Sequence, residues 1–174
     1  MILNERDSRH EQTLHVARQM MTAARTAPKG KGIDILETVT ITDEDIISLS
    51  NRLKDLSKTA GHDFFLRDAE NILKADAIVL IGTHDQVLGL NCGYCGYNSC
   101  GEKPASVPCA INTTDVGIAI GSACATAADL RVDSRVMFSA GYAAQSLNWL
   151  SDCRNVIAIS ISVSSKNPFF DRKS

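Results

Sequence analysis

Four of the six cysteines crowd into one short stretch, NCGYCGYNSCGEKPASVPC, from Asn91 to Cys109. Cys92, Cys95, Cys100 and Cys109 follow the spacing Cys-x2-Cys-x4-Cys-x8-Cys. A two-residue gap places two thiolates on one turn of chain, close enough to share a metal centre. Gly93 and Gly96 directly follow the first two cysteines. Glycine lets the backbone wrap tightly and turn its N–H groups toward sulfur, where they stabilise thiolate charge. Pro104 and Pro108 stiffen the approach to Cys109, and Tyr94 and Tyr97 are expected to screen the site from water. Three chemistries use such a set. A [4Fe–4S] cluster takes four thiolates from a compact loop. A structural zinc takes the same residues, or three of them with His84, although such sites more often carry two CxxC pairs. A dithiol redox pair is the third.

The elements that position these thiols come from a chain large enough for one hydrophobic core, 174 residues with 44% apolar and 22% charged residues. It can therefore fold without disulfide staples. A formal net charge of −2 gives no sign of nucleic-acid binding, and no apolar run is long enough to cross a membrane. MILNERDSRHEQ contains no apolar export segment. A reducing, cytoplasmic location is the expectation. There, clustered thiols are more often metal ligands or redox groups than disulfides.

Along the chain, Asn4 to Ala27 predicts a helix from Leu14, Ala17, Met21 and Ala24, closed by Pro28 and the Lys29-Gly30-Lys31-Gly32 run. IDILETVTI from Ile33 to Ile41 alternates as a strand does. Thr42 is placed to cap a second helix with acids in its first turn and a stripe of Ile46, Leu49, Leu53, Leu56 and Ala60, and Gly61 is its expected stop. Phe64 to Lys74 reads as a short helix and Ala75 to Thr83 as a buried strand. After the cysteine stretch, Thr113 or Thr114 is expected to cap a helix with no charged residue from Val116 to Ala128. Such a helix is expected to be buried all round, with Gly117, Gly121 and Ala125 on one face for close packing. A strand from Arg135 to Phe138, a helix from Ala140 to Leu150 carrying Trp149, and a strand from Arg154 to Val163 complete the chain. The tail SSKNPFFDRKS reads as a polar loop with two Phe anchors. One α+β domain over 1–174, with the metal loop at 91–109 inside it, is the simplest architecture.

Three resemblances extend this reading. NCGYCGYNSC resembles the NCGxCGxxxC signature of the small four-cysteine iron–sulfur domains of corrinoid iron–sulfur proteins and some membrane electron-transfer subunits. There the fourth cysteine lies further downstream than Cys109 does here. CAINTTDVGIAIGSACATAADLRVDSRVMFSAGYAA and KNPFFDR resemble a family of uncharacterised bacterial and archaeal ferredoxin-domain proteins. Its members carry a cysteine before a DLGIAIGSA-like segment, the place of Cys109. This resemblance implies an iron–sulfur cluster on Cys92, Cys95, Cys100 and Cys109, and assigns no reaction.

RDSR, then AARTAP, then an apolar central helix, is similar to the nitroreductase fold. That likeness implies a mixed sheet around a buried central helix, an intertwined homodimer, and flavin mononucleotide (FMN) at the dimer interface. Arg6, Ser8 and Arg9 echo an Arg-Arg-Ser-x-Arg element that holds the flavin phosphate, one residue short in spacing. Where that fold has Ala-Pro-Ser and then Asn, this chain has Ala27-Pro28 followed by Lys29-Gly30-Lys31-Gly32, so Lys29 and Lys31 become the further phosphate candidates. The plainer reading of the arginines is a solvated helix end, and of KGKG a flexible turn.

Cys124 reads as a small buried hydrophobe and Cys153 as incidental. No HExxH motif or Ser-His-Asp order is present. The chain thus reads as a one-cluster electron-transfer protein with an unidentified redox partner. A flavin-dependent oxidoreductase with the cluster as relay, and a structural zinc protein, are the alternatives.

Overall fold

The computed structural model describes residues 1–170. Helix α1 (Glu5–Thr26) starts where Asn4 Oδ1 accepts the Arg6 N–H at 3.1 Å, as an N-cap should. Its buried stripe is Thr13, Val16, Ala17, Met20 and Ala24, so Met20 rather than Met21 points inward. Strand β1 (Leu36–Ile41) leads to α2 (Asp43–Ala60), whose acidic first turn suits the helix dipole. Thr42 sits at the N-cap position but its side chain makes no cap bond, while Gly61 ends the helix in the left-handed conformation. Helix α3 (Phe64–Ile72) and strand β2 (Ala77–His84) follow.

Helix α4 (Ala110–Asp129) begins one turn earlier than its threonines suggest, with Cys109 at the N-cap. Thr113 and Thr114 lie inside the helix, and their hydroxyls bond back to the carbonyls of Cys109 and Ala110 at 3.1 and 2.9 Å. Strand β3 (Asp133–Met137), helix α5 (Phe138–Ser146) and strand β4 (Cys153–Ser162) complete the fold. Trp149 therefore lies beyond α5, partly buried against the core of that side.

The sheet order is β1-β2-β4-β3, and every neighbouring pair is antiparallel. The expected mixed sheet is corrected. A single crossover helix would return the chain for a parallel strand, but α2 and α3 form a packed out-and-back pair, so β2 starts at the end where β1 stopped. β2 is buried along nearly its whole length because helices cover both faces. Ile78 and Leu80 point into a core shared with α2, α3 and α5. Ala77, Val79 and Ile81 point into a second core shared with α1 and α4. The molecule is thus helix–sheet–helix in three layers.

Two close approaches fix these layers. A Cβ at Gly141 of α5 would lie 2.2 Å from the Val156 carbonyl oxygen, so α5 rests directly on the β4 backbone. On the other face, Ser122 of α4 donates to the Ala23 carbonyl of α1 at 2.9 Å. Helix α4 is not buried all round. Its buried stripe is Asn112, Asp115, Val116, Ala119, Ala123 and Ala127. Gly117, Gly121 and Ala125 face outward. One chain supplies covering elements for only part of an apolar helix. At the tail, Phe169 is buried and Arg135 holds its carbonyl, whereas Phe170 lies exposed under the Arg135 guanidinium, 4.9 Å from its ring centre. Asp171 and Arg172 of KNPFFDR lie outside the described residues.

Candidate metal centre

Between the end of β2 at His84 and the start of α4 at Ala110 the chain forms no helix or strand. This connection carries all four clustered cysteines, and both its ends are fastened. At the entrance, Asn112 Nδ2 donates to the carbonyls of Gln86 at 2.9 Å and His84 at 3.4 Å. Lys31 Nζ donates to the Leu88 carbonyl at 3.1 Å. Lys31 belongs to a 3-10 turn, Gly30–Gly32, and the Gly30 N–H donates to both carboxylate oxygens of buried Asp115, at 3.1 and 3.0 Å. A Cβ at Gly30 would meet Ile111 and Leu88 side chains at 2.6 Å, so any larger residue there would have to push those side chains aside where the three segments meet.

At the exit, the Lys103 side chain is only 4% exposed and donates to the carbonyls of Pro104 and Val107. Asp85 lies between two cations, 3.9 Å from Lys103 Nζ and 3.3 Å from Arg154 Nη1. Arg154 also donates to the Ala105 carbonyl at 3.0 Å. These links tie the segment before Cys109 to the start of β4. Cys109 itself is buried at the N-terminus of α4, where the helix dipole favours negative charge.

The inner part of the loop is pinched shut. The Asn91 N–H points to Cys100 Sγ at 3.4 Å, and the Cys100 N–H donates to Asn91 Oδ1 at 2.9 Å. Gly93 and Gly96 take the left-handed backbone that permits the turn around Cys95, closed by Gly96 N–H to the Gly93 carbonyl at 2.9 Å. Burial increases along the set: Cys92 is exposed, Cys95 and Cys100 are half-buried and Cys109 is buried. All six cysteines are free thiols.

The donor chemistry fits a thiolate-bound group: four free thiols, a backbone N–H already aimed at one sulfur, and glycines at the turns. The spacing of the side chains is not that of a finished ligand set. Among the described residues, no three His, Cys, Asp or Glu side chains are gathered closely enough to hold a metal ion. His84 turns its Nε2 to Glu37 on the neighbouring strand, 3.5 Å away. Tyr94 is 77% exposed and screens nothing, whereas Tyr97 is half-buried.

The remaining cysteines are ordinary. Burial pushes the Cys124 thiol up, against a hydrogen bond with Ser134. Cys153 opens β4, buried, and burial with the nearby Glu37 and Asp152 charges raises it to about 11.

The residues proposed for a flavin phosphate divide into two groups. Arg6 and Arg9 border one cavity together with Val163, Ser164 and Ser165. Arg9 is held there by Glu5 at 2.6 and 2.7 Å, and Ser8 donates to the Glu5 carbonyl at 3.3 Å. Lys29 and Lys31 lie beyond the other end of α1, roughly 33 Å away along a helix of 22 residues. Lys29 is occupied: its Nζ caps α1 through the carbonyls of Ala24, Arg25 and Ala27. Lys31 is bonded to the cysteine loop. Within one chain these lysines do not join the arginines around a phosphate.

Sequence reasoning overlooked the fasteners, Asp85, Lys103, Asn112, Asp115 and Arg154. One signal was available. Asp115, one carboxylate just before the charge-free run from Val116 to Ala128, needs a partner once buried, and that partner is the Gly30 N–H.

A family model described as "Uncharacterized protein containing a ferredoxin domain (DUF2148)" matches residues 105–172. An uncharacterized protein of Archaeoglobus fulgidus is 37% identical over 182 residues, covering 99% of this chain and 98% of that one. Among solved structures, a nitroreductase with bound FMN from Bacteroides fragilis NCTC 9343 superposes with a TM-score of 0.61 at 11% identity, over 92% of this chain and 82% of that chain. A nitroreductase with bound FMN from Desulfitobacterium hafniense DCB-2 gives 0.59 at 13% identity, over 87% and 78%. At these identities the likeness is one of fold. Near full-length similarity to the archaeal protein and the family match over the C-terminal part place this chain in the family of uncharacterized proteins containing a ferredoxin domain.

Proposed function

We propose that the protein is an electron-transfer protein in which Cys92, Cys95, Cys100 and Cys109 hold one [4Fe–4S] cluster. The observation that carries the reading is a loop of four free thiols with both ends fastened and its middle closed by Asn91 and Cys100. The ferredoxin-domain family supports it. When bound, such a cluster supplies one-electron redox chemistry. The chain's part is to bring the thiolates together and control their surroundings. Cys109 is the fixed ligand, held at the head of α4. Cys92, Cys95 and Cys100 ride on the pinched inner ring, and the left-handed glycines 89, 93 and 96 give that ring room to close toward Cys109. Buried Lys103 and half-exposed Arg154 place positive charge beside the segment that ends at Cys109.

The test is iron, sulfide and zinc content of anaerobically purified protein, with an absorption spectrum. Iron and sulfide together support the cluster, and zinc without sulfide replaces it with a structural clip.

A second reading, an oxidoreductase with FMN and the cluster as its relay, is favoured by one observation. Arg6 and Arg9 share a cavity with Ser164 and Ser165, a donor set suited to a phosphate, in a fold like that of FMN-bound nitroreductases. FMN released on denaturation supports that reading, and its absence from freshly purified protein, with no uptake on addition, counts against it.

A further inference from the structure

β3 stops at Met137, opposite Ala158, so residues 154–157 of β4 have no β3 neighbour. A cleft of about 440 Å³ opens beside this uncovered strand. Its walls are Val116, Gly117 and Ile120 of α4 on one side and Phe138 and Tyr142 of α5 on the other, with Arg154 at the end. Pro108, next to Cys109, forms part of its rim. The volume lies in the range of small-molecule sites, which are mostly apolar with a few placed polar groups.

Three observations indicate what would fill it. Phe138 and Tyr142 are 58% and 47% exposed, with ring centres 5.8 Å apart and planes tilted by 35°. Two aromatic faces left to water on one wall match a flat apolar partner. Second, a Cβ at Gly117 would meet nothing within 4 Å. Among the described residues no packing requires glycine there, although a mid-helix glycine is costly relative to alanine. Its effect is to keep the cleft wide. Third, Arg154 is the cleft's one charged wall residue, and it shares the single Asp85 carboxylate with Lys103. Asp152 lines the neighbouring cavity with Asp85 and Arg154, so the charges there balance, but both Arg154 contacts, to Asp85 and to the Ala105 carbonyl, use Nη1, which leaves its Nε and Nη2 donors to meet an anionic edge.

We propose that this cleft binds a flat aromatic monoanion, its rings between α4 and the Phe138–Tyr142 wall and its charged edge toward Arg154. The site is separate from the Arg6–Arg9 cavity. That cavity borders Val163 to Ser165, roughly 23 Å along the chain direction of β4 from Val156. Binding here does not depend on the iron–sulfur reading, since no wall residue is a cysteine.

The test uses full-length protein and two probes, 2-naphthoate and its neutral analogue 2-naphthamide, measured by titration calorimetry. Native protein is expected to bind 2-naphthoate more tightly than the amide. Gly117→Leu fills the cleft and is expected to weaken binding by at least about tenfold. Its melting temperature should be equal or higher, because leucine is the better helix former. Arg6→Ala with Arg9→Ala should bind as native does. No binding by native protein, or unchanged binding by Gly117→Leu, overturns the proposal, as does loss on changing the arginines. Sedimentation is run on the same samples. A native dimer that becomes monomeric in Gly117→Leu, with no probe bound by either, assigns the cleft to a second copy and also overturns it. Iron and sulfide measured alongside keep the two readings apart, because missing cluster with intact probe binding removes only the cluster.

Discussion

Asn91 and Cys100 hold one another by a reciprocal pair of contacts, N–H to sulfur at 3.4 Å and N–H to side-chain oxygen at 2.9 Å. The pair closes the inner ring of the cysteine loop at the point where the chain enters and leaves it. Asn91 can do this because its backbone takes the left-handed conformation, which asparagine tolerates better than most residues.

Asn91→Ala is therefore expected to loosen the ring and leave the fold alone. The residue is exposed, and alanine is less suited than asparagine to its left-handed backbone, so global stability should fall by no more than about 1 kcal/mol. Iron retained per chain after a fixed chelator challenge should fall. Native-like retention would show that the pair plays no part in holding the ligands.

The Gly30–Asp115 bond makes a different prediction. Asp115 is buried and both its carboxylate oxygens accept the Gly30 N–H. Asp115→Ala leaves that N–H without an acceptor, and Gly30→Ala drives a methyl into Ile111 and Leu88. Each should cost about 1–3 kcal/mol in denaturant unfolding. Both should also loosen the entrance of the cysteine loop, seen as faster amide exchange at Leu88. Unfolding equal to native in both variants would contradict the clamp.

Gly141→Ala tests the layer packing. Its Cβ would sit 2.2 Å from a backbone oxygen that cannot swing aside. The loss should be about 3 kcal/mol or an unfolded protein, whereas Gly121→Ala, with nothing within 4 Å, should be neutral or stabilising. Thermal melts of the two variants make the comparison, and an unharmed Gly141→Ala would mean that α5 does not rest on β4.

Thiol reactivity should follow burial and pKa. Burial, with Glu37 and Asp152 nearby, raises Cys153 from an ordinary 9.0 to about 11. A thiol whose folded pKa is raised adds stability below its unfolded pKa, and that stability is lost as pH rises from 9.0 toward 11. At pH near 8, metal-free protein treated with iodoacetamide should be alkylated first at Cys92, which is exposed, and last at Cys153. Peptide mass spectrometry over time gives the order, and early labelling of Cys153 would contradict its placement.

The sequence made the local elements legible where one physical signal dominated. The apolar stripe of α1 marked a helix, placed one residue wide at each end, and Gly61 marked the stop of α2. The apolar run at β2 named a strand covered on both faces. Signals that depend on distant partners were misread. The threonines after Cys109 looked like caps, but tertiary packing started α4 earlier, and their hydroxyls turned to the preceding carbonyls. The charge-free face of α4 read as buried, although the chain covers only the Asn112–Ala127 stripe. Lys29 looked like a phosphate ligand because a sequence cannot show that three carbonyls at the end of α1 already hold its ammonium group. For the candidate centre, the four cysteines were visible from spacing, and the residues fastening their loop were not, because Asp85, Lys103, Asn112 and Arg154 meet only in three dimensions.

The most direct test of the central claim is acid-labile sulfide and iron per chain in anaerobically purified protein, in native form and in Cys109→Ser. The account predicts four irons and four sulfides per native chain, the content of one [4Fe–4S] cluster, and their loss or marked depletion in the variant. Native protein with stoichiometric zinc and no sulfide would contradict it.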